Sequence, residues 1–306
     1  MPKEPCKSGP VVVGGVGGSG TRVLATILMQ SGFYMGDVRS RDKDNIWFAG
    51  MFFSRPAWLT DFKSLRRNTV FRAFSVFESL MFSPFRSLFH MTMSRIQAIF
   101  FFALFWRSSV WSGWKRVLGQ GTVIAFKEIP FRRLECSRYT GWGWKEPVSH
   151  IYLEPLSVYF PGLRYIHLVR DGLDMAFSGN TGQLEEWGQL FGIPAPCGEN
   201  EMARAALKYW TAANNRAVEV GNKLLGERFL LMNFEELCYA PRQEIKRLST
   251  FLGLDPNALD LDELCGLIQM PSSIGRHKEK DLSIFRPEDI IAKEKVEKRI
   301  DRIKSP

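Results

Sequence analysis

Two stretches far apart in the chain carry residues whose types and spacing suit phosphate chemistry. In VVVGGVGGSGTRVLATIL (Val11–Leu28) a short β-branched run meets five glycines between Gly14 and Gly20, with Ser19, Thr21 and Arg22 at the end. Glycines permit a tight turn and close backbone approach. The free amides of a following helix would make an anion site, to which Ser19 and Thr21 add hydroxyls and Arg22 a charge. In LRYIHLVRDGLDMAFSGN (Leu163–Asn180) Arg170 ends a second strand-like run, and Ser178 follows it. Arginine can clasp a phosphate through two parallel N–H bonds, and Ser178 can donate from the adjoining helix. Two such strand-to-helix turns point to a ligand with two separate phosphate-like groups.

Three ligands fit the first turn. A Walker A loop needs a Gly-Lys-Ser/Thr ending, but Gly20 is followed by Thr21 and Arg22, so the phosphate lysine is missing. A dinucleotide fingerprint is met by Gly15, Gly17 and Gly20, with Asp37 at roughly the ~20-residue distance of a ribose-binding acid. The third ligand is a phosphosulfate. The second turn favours it, because a nucleotide with a separate 3′-phosphate uses an Arg and a Ser where a Rossmann site needs neither. The plain alternative is a strand-end Arg170 paired with Asp171 or Asp174, and a surface serine.

Other residues with chemical potential lie between and beyond these turns. Lys145 and Glu146 stand in GWGWKEP, where Pro147 ends an aromatic strand. Asp44 lies among Arg41, Asp42 and Lys43. His150 is available as a base, since imidazole is the commonest one, whereas His167, inside a strand, reads as a core histidine. Ser272, Ser273, Gly275, Arg276 and His277 suit a flexible anion-binding loop.

The elements that must position these residues follow from periodicity. Strands are expected at Val11–Val13, Thr122–Phe126, Tyr139–Trp144, Leu163–Val169 and Arg228–Leu231. Helices are expected at Thr21–Ser31, Leu173–Asn180, Glu199–Gly221 and Pro241–Leu252, and the charged tail after Ile290 reads as a frayed helix. Strands alternating with helices imply an α/β fold with a parallel sheet covered on both faces. Ligands then sit at the carboxyl ends of the strands.

With these motifs together, the chain resembles the sulfotransferases that use 3′-phosphoadenosine 5′-phosphosulfate (PAPS). GVGGSGTR looks like their 5′-phosphosulfate loop and VRDGLDMAFS like their 3′-phosphate motif, with Arg170 and Ser178 at the family's spacing. RFLLMNFEELCYAP with Phe251–Leu254 is similar to their C-terminal segment. PSSIGRHKEKDL (Pro271–Leu282) is similar to the late loop that closes over the nucleotide. The resemblance runs from Val11 to about Phe285. It implies a P-loop-like three-layer fold with a central parallel sheet, PAPS as co-substrate and no metal. Gly17, Gly18, Ser19, Gly20, Thr21 and Arg22 would then hold the phosphosulfate, and Arg170, Ser178, Ser273, Gly275 and Arg276 the 3′-phosphate end. Many relatives carry Lys or Arg where this chain has Gly18; Arg22 is the candidate to compensate, as in heparan-type enzymes.

Sulfuryl transfer is an in-line displacement driven by positioning and electrostatics, comparable to phosphoryl transfer. The resemblance gives Lys145, in a Lys-x-Pro, the place near the leaving oxygen. Asp44-Asn45-Ile46-Trp47-Phe48 resembles the Glu-x-x-Phe-Phe of the heparan type, which implies Asp44 as base, ahead of Glu146 and His150. A Rossmann-type enzyme, or an inactive nucleotide-binding module docking on a membrane or partner, are the competing readings.

Composition bounds the rest. A chain of 306 residues with 45% hydrophobic content can fold as one large α/β domain, 1–306. The five cysteines form no CxxC pair, which fits reduced thiols, mostly as buried small hydrophobes. MPKEPCKSGP has no apolar core of a signal peptide, and the longest apolar stretch, Ile96–Trp106, is far short of the about 20 residues that span a bilayer. The expected location is cytoplasmic, with a peripheral membrane contact through one segment. That segment, residues 55–120, is an expected helical insertion dense in Phe, Trp and Met. From Lys63 to Arg116 its charged residues are basic except Glu78, nearly accounting for the net charge of +9. Phe71, Phe74, Phe77 and Met81 recur at helical spacing. It reads as a helical lid, as an acceptor-binding subdomain for a carbohydrate, lipid or small metabolite, or as an interfacial helix on anionic lipid. No nucleic-acid-binding motif accompanies its basic charge.

Overall fold

In the computed structural model, residues 9–37, 39–56, 58–82 and 136–304 are described. They build a five-stranded parallel sheet from β1 (Val11–Gly15), β2 (Phe33–Tyr34), β3 (Gly141–Lys145), β4 (Arg164–Val169) and β5 (Phe229–Asn233), in the order β2-β3-β1-β4-β5. The helices are α1 (Thr21–Gln30), α2 (Ile46–Phe52), α3 (Asn68–Phe82), α4 (Leu153–Tyr159), α5 (Gly172–Ala176), α6 (Gly182–Trp187), α7 (Glu199–Leu225), α8 (Phe234–Tyr239), α9 (Pro241–Leu252), α10 (Leu261–Gly266) and α11 (Pro287–Lys304).

The alternation of side chains along each strand divides the core in two. Val11, Val13, Ile166, Leu168, Leu230 and Met232 pack on the face that carries α1 and α9, against Leu24, Leu28, Ile245 and Leu248. Val12, Trp144, Tyr165 and Leu231 pack on the other face, with α3, α4 and α7. A parallel sheet needs both faces covered, so the expected three-layer α/β fold is what the chain adopts. Small residues let α7 lie close to the sheet: a Cβ on Gly221 would sit 2.2 Å from the Phe229 ring. α9 runs from Pro241 to a left-handed Gly253, whose amide bonds back to the last turn, the usual asymmetry of helix ends.

Four expectations change. The helix expected over Leu173–Asn180 stops at Ala176, and Ser178 lies in the following turn, where its Oγ accepts the Asn180 amide at 3.2 Å. A serine side chain that competes for a backbone amide favours a turn over a helix. The pairing of Phe33–Tyr34 with Gly141–Trp142 adds an edge strand too short to show a period, and β3 begins at Gly141 and runs on to Lys145. The charged tail is no frayed helix, since Val296 and Ile300 are buried and Lys293 reaches Asp171 at 3.6 Å. Of the cysteines, Cys197 is exposed and Cys238 and Cys265 are half-buried, all free.

Of the segment expected to be an insertion, 55–120, the described residues cover the start. A 3-10 turn (Phe62–Arg66) leads into α3, whose Phe74, Phe77 and Met81 are buried as the helical spacing predicts. Phe77 meets Trp144 of β3 edge-on at 4.9 Å, and the Arg216 guanidinium lies 3.8 Å over the Phe62 ring. Residues 83–120 and the strand expected at Thr122–Phe126 lie outside the described residues. Among the described residues no helix is long and apolar enough to cross a membrane.

Candidate active site

The strand order puts three functional termini side by side: β1 is flanked by β3 and β4, so the turns after Gly15, Lys145 and Val169 open at one edge of the sheet. After β1 the chain doubles back at once. The Ser19 amide bonds to the Val16 carbonyl at 3.1 Å, and Gly18 and Gly20 take φ of 97° and 87°, a region that disfavours other residues. The first helical amides of α1, at Thr21 and Arg22, thereby face the turn. Ser19 is buried and its hydroxyl donates to the Val16 carbonyl, bracing the loop. Space is a second reason for glycine: a Cβ on Gly20 would lie 2.3 Å from the Phe234 ring. Gly18 suits this backbone, because its positive φ strains other residues and a Cβ would also press on Met175 at 3.2 Å.

The second turn touches the first. A Cβ on Gly18 would stand 3.4 Å from Ser178 Oγ, and one on Gly17 3.3 Å from Asn180 Oδ1. Arg170 is 5% exposed, so its charge needs partners. Its Nη2 donates to Ser273 Oγ at 2.9 Å, its guanidinium lies over the Phe234 ring at 5.1 Å, and Glu235 stands 3.9 Å away. The ion-pair partner is thus Glu235, not Asp171 or Asp174. The atom facing Glu235 is Arg170 Nε, which is buried and makes no hydrogen bond at that distance, a donor that calls for an explanation. Arg276 comes from the late loop and bonds the Ser273 and Phe177 carbonyls at 3.2 and 3.4 Å. Burial, and then the charge of Arg170, lower its pKa, so two guanidiniums share this corner.

On the other side of β1, Lys145 is 4% exposed. Its ammonium donates to Asp44 Oδ1 and, at 3.2 Å, to the Asp42 carbonyl. The Asn45 amide bonds the Lys145 carbonyl at 2.8 Å, which fixes the Asp44 segment to the end of β3. Ser40 donates to Asp44 Oδ2 at 3.1 Å. Exposed Arg22 pairs with Asp42 at 3.2 Å, so Arg22 and Lys145 converge on one short acidic loop. Glu146 points inward, with Oε2 unpartnered. Burial first, then the Asp44 charge, raise its pKa well above the carboxylate range, against the opposing pull of Lys145.

The histidines separate cleanly. His150 is fully buried against Gln183 at 3.2 Å, and burial pushes its pKa down to about 3. It belongs to the core and not with the candidate bases. His167, paired with Asn214 at 2.9 Å and lowered by burial to about 4, is the core histidine expected. Gln183 links this buried layer to the phosphate turn by donating to the Gly15 carbonyl at 3.4 Å. Asp171, Asp174 and His277 bring three potential metal-ligand atoms within 4.8 Å of one another. Asp174, however, already accepts the Gly275 amide at 2.6 Å and the His277 amide at 3.1 Å.

Sequence reading missed Phe234, the wall common to both turns, and Glu235, the counter-ion of Arg170. Both lie in the NFEEL segment after β5, where an acid just past a strand was the available signal. The dinucleotide reading meets a topological obstacle. Its acid should follow the strand beside β1, but Asp37 follows β2, which among the described residues pairs with β3 and not with β1.

The sulfotransferase family profile matches residues 10–258. No curated protein matches the chain significantly. Among solved structures, a sulfotransferase from Mycobacterium tuberculosis shares 15% identity over 89% of this chain and 76% of its own, with a TM-score of 0.42. The sulfotransferase domain of a Synechococcus olefin synthase shares 12% over 96% of each chain, at 0.39. A sulfotransferase from Alicyclobacillus acidocaldarius shares 14% over 92% and 98%, at 0.40. Likeness this distant carries no chemistry over to the present chain.

Proposed function

The chain belongs to the sulfotransferase family, and we propose that it transfers a sulfuryl group from PAPS to a hydroxyl or amine acceptor. The observation that carries this reading is the meeting of two anion-suited turns on adjacent strands, with Gly18 against Ser178 and the unmet Arg170 Nε beside them. Amides of Gly17, Gly18, Gly20, Thr21 and Arg22 would cradle the 5′-phosphosulfate, in a loop braced by Ser19. Arg170, Ser178, Ser273 and Arg276 would hold the 3′-phosphate, whose charge offsets the repulsion of the two guanidiniums. Gly275 supplies the turn that aims Arg276.

In the transfer the acceptor atom forms a bond to sulfur while the bond from sulfur to the bridging phosphate oxygen breaks, and 3′,5′-adenosine bisphosphate (PAP) leaves. The acceptor proton goes to Asp44. Lys145 holds Asp44 in place and, with Arg22, stabilises the charge that develops on the departing phosphate. Burial and the nearby Asp44 charge both disfavour the ionised form of Glu146, which ranks it behind Asp44 as the base. Carbohydrate, lipid and small-metabolite acceptors all suit this chemistry, with the basic aromatic segment as the surface that would receive them. The test is acceptor-dependent release of PAP from PAPS across these classes. The reading predicts release with at least one class; PAPS left intact by every class while a nicotinamide dinucleotide is turned over would overturn it.

A further inference from the structure

The nucleotide corner has an electrostatic problem of its own making. Ser273 and Arg276 must approach Arg170 from a loop 103 residues later in the chain, and the two guanidiniums repel. Glu235 faces Arg170 at 3.9 Å, and a second carboxylate holds the loop itself. Asp174, 1% exposed, lies on α5 between Arg170 and Ser178. It accepts the Gly275 amide at 2.6 Å, the His277 amide at 3.1 Å and His277 Nδ1 at 2.6 Å. His277 Nδ1 also stands 3.5 Å from Asp171. Burial alone would raise the Asp174 pKa, but the donors of His277 and Gly275 outweigh it and lower it, the mark of a carboxylate whose bonds favour its charge. Between these anchor points Gly275 turns at φ 79° and Arg276 projects back toward Arg170.

We infer that Asp174 and His277 are positioning residues that latch the late loop to α5, and that this latch sets the preference for a nucleotide bearing a 3′-phosphate over one lacking it. The inference rests on the 3′-phosphate reading above. Its physical content is pre-organisation: the Ser273–Arg276 arm is in place before the phosphate arrives, so binding does not have to order it. Neither residue needs to touch the ligand.

The experiment measures dissociation constants of PAP and of AMP, which lacks the 3′-phosphate, for the wild-type chain, Asp174→Asn and His277→Ala. Asn in place of Asp174 turns one acceptor into an N–H group facing the Gly275 amide. Hydrogen bonds to charged groups are worth enough that PAP affinity should fall about tenfold or more in Asp174→Asn and about threefold in His277→Ala. AMP affinity should stay within about twofold, and the Gly275 and His277 amides should exchange with solvent faster. Wild type that binds PAP and AMP alike defeats the 3′-phosphate reading itself. Discrimination in wild type that persists in both variants defeats the latch alone. Equal loss of both ligands would assign Asp174 a merely structural role and also overturn the inference. Should Asp174→Asn fail to fold, His277→Ala, which truncates a half-buried side chain of the loop, decides.

Discussion

The buried histidines beneath the phosphate turn make a quantitative claim. His150 and His167 are neutral in the folded protein, with pKa values held down to about 3 and about 4 by burial. An unfolded histidine titrates near 6.5. A depressed histidine contributes stability that is fully present above the unfolded pKa and is lost as pH falls toward the folded one. Between about pH 8 and about pH 5, each ring then forfeits about 2 kcal/mol. That is a large share of the 5–15 kcal/mol typical of a domain. The perturbation is His150→Gln or His167→Gln, neutral at every pH, and the assay is urea unfolding of variant and wild type at both pH values. The difference between the two proteins matters more than the wild-type slope, because Glu146 acts in the opposite sense: its raised pKa favours the folded state as pH falls. Each variant should close on the wild type by about 2 kcal/mol as pH drops. A wild-type-to-variant gap that stays constant from about pH 8 to about pH 5 would refute the account of these rings as buried and neutral.

Two further substitutions test the site. Asp44→Asn should lower kcat by about 100-fold or more, the usual loss for a general base, while Glu146→Gln, which mimics the protonated acid, should leave kcat within about threefold; the reverse order in steady-state assays would exchange their roles. Gly20→Ala places a methyl where the Phe234 ring lies 2.3 Å away and demands a left-handed φ. It should lower the unfolding midpoint and weaken PAP by about tenfold or more, and an unchanged dissociation constant by calorimetry would contradict the role given to that turn.

Local signals carried much of this structure. The glycine turn, the apolar spacing of α1 and the Pro241-to-Gly253 limits of α9 are short-range patterns, and they read correctly. The helix expected through Ser178 failed because one hydroxyl bonding to Asn180 outweighs a continuing apolar rhythm. Long-range chemistry was the harder part. Lys145 and Asp44 lie 101 residues apart, and each is an ordinary charged residue until the Asn45 amide ties their segments together. Asp174 was legible only as a neighbour of Arg170; its true partners are in a loop 101 and 103 residues away. Glu146 ranked behind Asp44 only on the resemblance, because burial, which separates them, is a property of the fold and not of the local sequence.

The central claim is a nucleotide site with a distinct 3′-phosphate pocket. Its most direct test is thermal unfolding of the purified chain with PAP, AMP, ADP, ATP and NAD at equal concentration, since a ligand that binds the native state raises the midpoint by mass action. The account predicts a shift with PAP that AMP does not produce and that Arg170→Ala abolishes. No shift with PAP, alongside one with NAD or ATP, would contradict it.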